Sequence, residues 1–308
     1  MIDYKEYLFH VNRDKEIMVP SEPDGGRLYH YTSSAGFCGI VGSNKLWATH
    51  FQFMNDGSEM EYGSNLIRAE LDALVESRKE DKETYAGIVS RLKTKIDQAA
   101  TYFPPYVFCM CENDDLLSQW REYGARSASY SIGFSAAGLV EITKSRTGTA
   151  LFPVIYDEVQ QKEMVKHFVM ASHEYAVEKS TELQDDSLLD EFLDLAAALA
   201  SYIAVRLKHP AFRHEKEWRL YYFSQAETKV EETRFRPTDM GVTPYIEIPA
   251  LTGKTLPIVS VTVGPSQHQS AALHSAWMMM DERHSSVMSC QTWARQTRPP
   301  TTTGRLLM

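Results

Sequence analysis

Long apolar runs are missing from this sequence. No stretch of eighteen or more apolar residues occurs among its 308, so no membrane-spanning helix is expected. The opening segment, 1–20, carries charges throughout and lacks the apolar core of a secretory signal, which points to the cytoplasm. Cysteine is scarce. Cys38, Cys109, Cys111 and Cys290 are too few and too irregularly spaced for a disulfide framework in a chain this long. Cys109 and Cys111 share one face of an apolar strand, have no further ligands at zinc-like spacing, and read as core thiols; no metal site is expected. Positive charge is in deficit: 32 Lys and Arg stand against 41 Asp and Glu, a formal charge of −9. An acidic surface repels phosphate backbones, so indiscriminate nucleic-acid affinity is not expected, although a local basic groove leaves nucleic acid open as a substrate.

The common catalytic loops are absent too. There is no phosphate-binding Gly-Lys-Ser/Thr loop, no Gly-x-Gly-x-x-Gly after a strand, no His-Glu-x-x-His and no Gly-x-Ser-x-Gly. Metal-assisted and serine hydrolysis therefore have little to stand on.

What is present is a mixture of strand and helix signals without βαβ regularity, which indicates an α+β fold. Strands are expected at 27–31, 45–49, 106–111, 130–134, 151–156, 217–223, 244–248 and 257–263. Ser33 or a neighbour caps a short helix bearing Phe37, Ile40 and Val41. Two amphipathic helices occupy about 64–100, and a long helical region covers 158–208, with Leu188, Phe192, Leu195, Leu199 and Ile203 at helical spacing. Residues 1–26 read as a polar extension ending in a Pro- and Gly-bearing turn. Residues 27–283 read as a single domain with those helices inserted, and 284–308 as a flexible tail rich in Thr, Pro and Arg.

The chemistry must come from polar residues set in apolar strands. His30 lies between Tyr29 and Tyr31, with Thr32 following; a lone strand histidine is often a satisfied core residue. If 212–223 is extended, Glu215, Glu217 and Arg219 share a face with Tyr221. Two carboxylates and a guanidinium there are costly to bury unless paired or used, while an exposed ladder of charge pairs is the plainer alternative. Arg121 stands beside Trp120 and Tyr123, a cation among aromatics suited to an anion such as a pyrophosphate, or simply a surface partner of Glu122. Asn55-Asp56-Gly57-Ser58-Glu59 reads as a turn that leads into a helix.

Five blocks in order resemble an uncharacterised bacterial family of the domain-of-unknown-function kind: 28–32, 47–59, 117–124, 132–134 and 212–220. A more distant likeness is to ADP-ribosyltransferases of the His-Tyr-Glu class, including the DarT-type toxins that modify nucleic acids. That resemblance implies an ADP-ribosyltransferase-like split β-sheet core with inserted helices, and NAD as substrate. It implies His30 as the ribose ligand, Tyr31, Tyr123 or Tyr130 against nicotinamide, and Glu217 as catalytic carboxylate. Glu215 would help activate the acceptor and Arg121 would hold the pyrophosphate, with Thr32 and Arg219 nearby. The expected activity is ADP-ribosyl transfer to a nucleic acid or protein, as a toxin or phage-defence effector with a possible antitoxin partner. NAD glycohydrolysis, a nuclease-like reaction and a non-catalytic sensor remain the alternatives.

Overall fold

The computed structural model describes residues 3–12, 26–54, 58–78, 82–102, 105–124, 128–223, 233–238, 241–283 and 289–292. It is a mixed α+β fold around one ten-stranded sheet. Its strands are β1 (Arg27–Ser33), β2 (Lys45–His50), β3 (Pro105–Cys111), β4 (Ser129–Ser135) and β5 (Thr149–Pro153), then β6 (Glu217–Phe223), β7 (Arg234–Thr238), β8 (Gly241–Pro249), β9 (Ile258–Val263) and β10 (Ser289–Thr292). The helices are α1 (Tyr4–Asn12), α2 (Ser34–Ser43), α3 (Ser58–Glu76), α4 (Lys82–Tyr102), α5 (Leu117–Gly124), α6 (Ala136–Lys144), α7 (Glu158–Glu178), α8 (Asp186–Ala204) and α9 (Gln269–Arg283).

β3 organises the sheet. β6 pairs with it along its whole length, from Pro105↔Phe223 to Cys111↔Glu217. A strand has only two edges, so β1 and β2 share the other one. β2 pairs at Thr49↔Val107 and His50↔Tyr106, and β1 meets β3 at Tyr29↔Cys111. Between those contacts the backbone of Cys109 faces a gap where β1 and β2 part. β1 then continues through β4 to β9, β2 continues through β8 to β7, and β5 closes the outer edge of β6. Apart from β9 with β10, the ladders are antiparallel.

The alternation of side chains sends two sets of apolar residues to two cores. One core joins Tyr106, Phe108 and Met110 of β3 with Trp218, Leu220 and Tyr222 of β6, and is covered by α2, α6 and α9. The opposite core joins Val107, Phe152 and Tyr221 to α1, α3, α4, α7 and α8. Here α3 approaches α8 very closely: a Cβ on Gly63 would stand 2.6 Å from the Ala204 carbonyl oxygen, so only glycine fits.

Several boundaries differ from the sequence reading. The 158–208 helical region is two helices, broken where Asp185 caps α8 by accepting from Ser187 and Leu188 amides. The expected polar extension contains α1, whose Tyr7 and Val11 are fully buried; their spacing of four was masked by flanking charges. Within the expected tail, 289–292 form β10, while the rest of that segment lies outside the described residues, as does the Asn55-Asp56-Gly57 turn. No helix among the described residues is long and apolar enough to cross a membrane.

Candidate functional site

The β1–β3–β6 register lines up Tyr29, Cys111 and Glu217 across three strands, and strand periodicity turns their side chains to the same face. A cavity of about 180 Å³ opens on that face. Tyr29, Tyr31, Tyr123 and Phe212 form aromatic parts of its wall, and Cys109, Glu59, Lys208, Glu215 and Glu217 supply its polar parts.

Glu217 and Glu215 reach it by different routes. Residues 210–215 form a 3-10 turn that ends with Lys216 in the left-handed region at φ 45, and β6 begins at Glu217. Lys216 is thereby thrown outward, 3.4 Å from Glu112. The expected strand over 217–223 is thus present as β6, while the extended form considered for 212–223 gives way to a turn before it; both carboxylates still converge, because both bind Lys208. Its ammonium lies 2.7 Å from Glu215, 3.0 Å from Glu217 and 2.7 Å from Glu59. Lys208 itself is clamped from behind: its amide donates to Ile155, and Gln161 Nε2 donates to the carbonyls of both Lys208 and Ile155.

Arg219, with no solvent exposure, completes the cluster. Its Nε donates to Glu217 Oε1 at 2.7 Å and its Nη2 to Glu217 Oε2 at 3.0 Å, the bidentate fork typical of guanidinium–carboxylate pairs. Nη2 also binds Glu59, Nη1 binds the Val205 carbonyl, and the guanidinium lies 5.1 Å from the Phe51 ring centroid. Three carboxylates against two cations leave the buried cluster with one net negative charge. Burial would raise the Glu217 pKa, but Arg219 and Lys208, with hydrogen bonds from Arg219 and the Cys109 thiol, outweigh it and hold the carboxyl at about 2. Glu217 is thus a fixed anion whose oxygens are taken. Glu215 has one oxygen on Lys208; its other, Oε1, has no hydrogen-bond partner among the described residues. Burial and the adjacent carboxylates push the Cys109 thiol well above its ordinary value.

The aromatic wall is pinned by Tyr31. Its hydroxyl donates to the Asn113 carbonyl at 3.0 Å and accepts from the Leu116 amide at 2.8 Å, which fixes the loop before α5. Its ring stands edge-on to Trp120, whose indole N–H donates to Asp115. On α5 the cavity-facing residues are Gln119, Glu122 and Tyr123, at helical spacing. Arg121 falls on the outer side, exposed, and does not line the cavity.

Three other expected site residues sit elsewhere. His30 enters the gap between β1 and β2, where its Nδ1 donates to the Cys109 carbonyl at 2.7 Å and its ring stacks on Phe108 at 4.1 Å. The gap leaves that β3 carbonyl without a strand partner, and His30 supplies one. Burial, with the Arg236 charge adding to it and the carbonyl bond opposing, lowers its pKa to about 4, so it is neutral at pH 7. Tyr130 stacks on Phe37 at 4.3 Å in the α2-side core, and Thr32, its partner in register on β1, is buried against Gly36. Neither lines the cavity. The cavity wall thus gathers Glu215, Glu217, Tyr31 and Tyr123, with Arg219 fully buried behind Glu217, and leaves His30, Thr32, Tyr130 and Arg121 out.

Sequence reasoning missed Lys208, Tyr29 and Phe212, and took Glu59 only as part of a turn. The signal available for Lys208 was a charged residue at the end of a strongly apolar helix. Among the described residues no group of three or more His, Cys, Asp and Glu is disposed to hold a metal ion.

A family model described as a protein of unknown function (DUF2971) matches residues 119–220. The likeness thus runs from α5 into β6 and includes Tyr123, Lys208, Glu215, Glu217 and Arg219, but not β1 or Glu59. No curated protein and no solved structure matches the chain.

Proposed function

We propose that the protein transfers ADP-ribose from NAD to an acceptor, with the cavity holding the nicotinamide end. The observation that carries this reading is a buried carboxylate, held ionised by Arg219 and Lys208, in a cavity walled by tyrosine rings. A nicotinamide ring in NAD is a flat cation. Tyrosine faces attract cations, and the net negative cluster adds to that attraction. A volume of about 180 Å³ lies below the ~300–1,000 Å³ of pockets for drug-sized ligands. It therefore admits the ring and part of its ribose, and the remaining dinucleotide lies outside.

In the reaction the bond between ribose C1′ and the nicotinamide nitrogen breaks, and its electron pair leaves with neutral nicotinamide. Positive charge grows on the ribose, as in glycoside cleavage. Glu217, ionised down to a pH of about 2, offers a preorganised negative field and needs no proton transfer to do so. An acceptor hydroxyl or amine then bonds to C1′ and gives its proton to Glu215, whose free oxygen suits a general base. His30 supports this wall through the Cys109 carbonyl. The resemblance to His-Tyr-Glu transferases supports the same substrate, although its ribose-binding role for the strand histidine finds no counterpart in the cavity wall.

The test is incubation of the full chain with NAD labelled in the ADP-ribose portion, with nucleic acid or protein acceptors. Nicotinamide release with label on an acceptor is expected, and Glu215→Gln should slow transfer by about 100-fold or more while unfolding at the wild-type temperature. Release of nicotinamide without transfer would reassign the chain to NAD hydrolysis. No release from the wild type, or full transfer by Glu215→Gln, would sink the proposal.

A further inference from the structure

Among the described residues, the sheet strands beyond the gap carry more positive than negative charge. On β2, β8 and β7, strand register places Lys45, Trp47, Thr49, Tyr245, Glu247, Arg234 and Arg236 on a common face. Glu247 is already shared: Lys45 lies 2.7 Å and Arg234 3.0 Å from its Oε2. Among the described residues Arg236 has no carboxylate partner. Its guanidinium carbon stands 5.4 Å from the ring centroids of both Trp47 and Tyr245, and Nη2 donates to Thr49 Oγ1 at 2.7 Å. Its Nε is buried without an acceptor, and so is the indole Nε1 of Trp47. Two unsatisfied buried donors on neighbouring side chains are destabilising unless a ligand supplies the acceptors. Aromatic faces compensate charge but cannot accept these N–H bonds in the ring plane.

We propose that Arg236 and Trp47 form a diphosphate subsite, which holds the pyrophosphate of the dinucleotide whose other end enters the cavity. This rests on the functional reading above. The placement fits one extended ligand. Thr49 pairs with Val107, and Cys109, in the cavity wall, is the next residue on that face of β3, about 7 Å further along. Tyr123, which lines the cavity, feels the charges of both Glu217 and Arg236. The guanidinium fork and the indole N–H supply donors to several phosphate oxygens at once. Within the cavity itself, carboxylates would repel the same phosphates, which favours a diphosphate position outside it, toward Arg236.

The test is calorimetric titration of the full chain with inorganic pyrophosphate and with ADP-ribose. Both should bind. Arg236→Met should weaken each by about 10- to 100-fold, Trp47→Phe should weaken them less, and Arg121→Met should leave them unchanged. Arg236→Lys keeps charge and packing but loses the fork, so it serves as the foldable variant and should also bind more weakly than wild type. No pyrophosphate binding by the wild type, or undiminished binding by both Arg236 variants, overturns the subsite. Pyrophosphate binding that depends on Arg236 in a chain that releases no nicotinamide would sink the transferase reading and keep this one. NAD turnover with an unchanged KM in Arg236→Lys would do the reverse.

Discussion

Replacing Lys208 by Met is the most incisive perturbation of the cluster. In the native protein its ammonium is within 3.0 Å of Glu59, Glu215 and Glu217, and its side chain is 9% exposed. Met conserves the stem and its packing, so the loss is one of charge. Arg219 would then face three carboxylates alone, and the cluster would go from one net negative charge to two. Breaking a buried ion pair by removing one partner costs about 3–5 kcal/mol, and that is the expected loss of unfolding free energy at pH 7. The pH dependence gives a second signature. In the wild type, holding Glu217 at about 2 instead of its ordinary 4.5 corresponds to ~3 kcal/mol. Because the folded pKa is depressed, this stability is complete above 4.5 and is lost as pH falls toward 2. In Lys208→Met, repulsion instead raises the pKa of a cluster carboxylate. The variant should therefore gain stability relative to wild type as pH falls from 8 to 5, the carboxylate taking up a proton that substitutes for the missing cation. Urea unfolding followed by circular dichroism at several pH values reads both effects. Equal stability at pH 7, or parallel pH curves for the two proteins, would show that the cluster is not coupled as its distances indicate.

Two further outcomes follow from the cavity wall. Tyr31→Phe strands the Leu116 amide, while the Asn113 carbonyl keeps the Cys111 thiol as a donor; the unpaired amide should cost about 1–3 kcal/mol and exchange its hydrogen faster, and unchanged exchange there would mean that the hydroxyl does not hold the loop. Burial pushes Cys109 well up and Cys111 to about 12, whereas Cys38 is exposed. Iodoacetamide at pH 8, read by mass spectrometry, should label Cys38 well before either of them, and equal rates at Cys38 and Cys109 would contradict the buried environment drawn for Glu217.

The parts of the site that could be read from sequence were those with a local signature. Short runs rich in tyrosine and other large apolar residues marked β1, β3 and β6, and Ser33 or a neighbour announced α2 as a cap. Glu217 and Arg219 stood out because charges seldom sit within a run of Trp, Leu and Tyr. Their partners did not stand out. Glu59 is 160 positions from Arg219, in the first turn of a helix where an acidic residue already has a local explanation. His30 fills a gap created by where β1 and β2 end their pairing, which no local pattern reports. Arg121 and Arg236 are the instructive pair. Beside Trp120 and Tyr123 in sequence, Arg121 looked like an anion ligand, but helical periodicity turned it outward. Arg236 sits in an edge strand of exposed neighbours, and what sets it apart is a buried guanidinium Nε without an acceptor, a property that only the folded sheet defines.

The charge arrangement also assigns unequal work to the two glutamates. A carboxylate that accepts from Arg219 twice, from Lys208 and from a thiol cannot take up a substrate proton without losing those bonds. Glu217 is therefore suited to a constant field, and its replacement would damage folding and activity together, as with Lys208. Glu215, bound through one oxygen to the same lysine, can exchange a proton while the cluster stays intact. Activity loss with preserved stability should accordingly appear at position 215 and not at 217. Finding that separation inverted would place the reactive carboxylate at the strand residue after all, and would require the Arg219 fork to open during turnover.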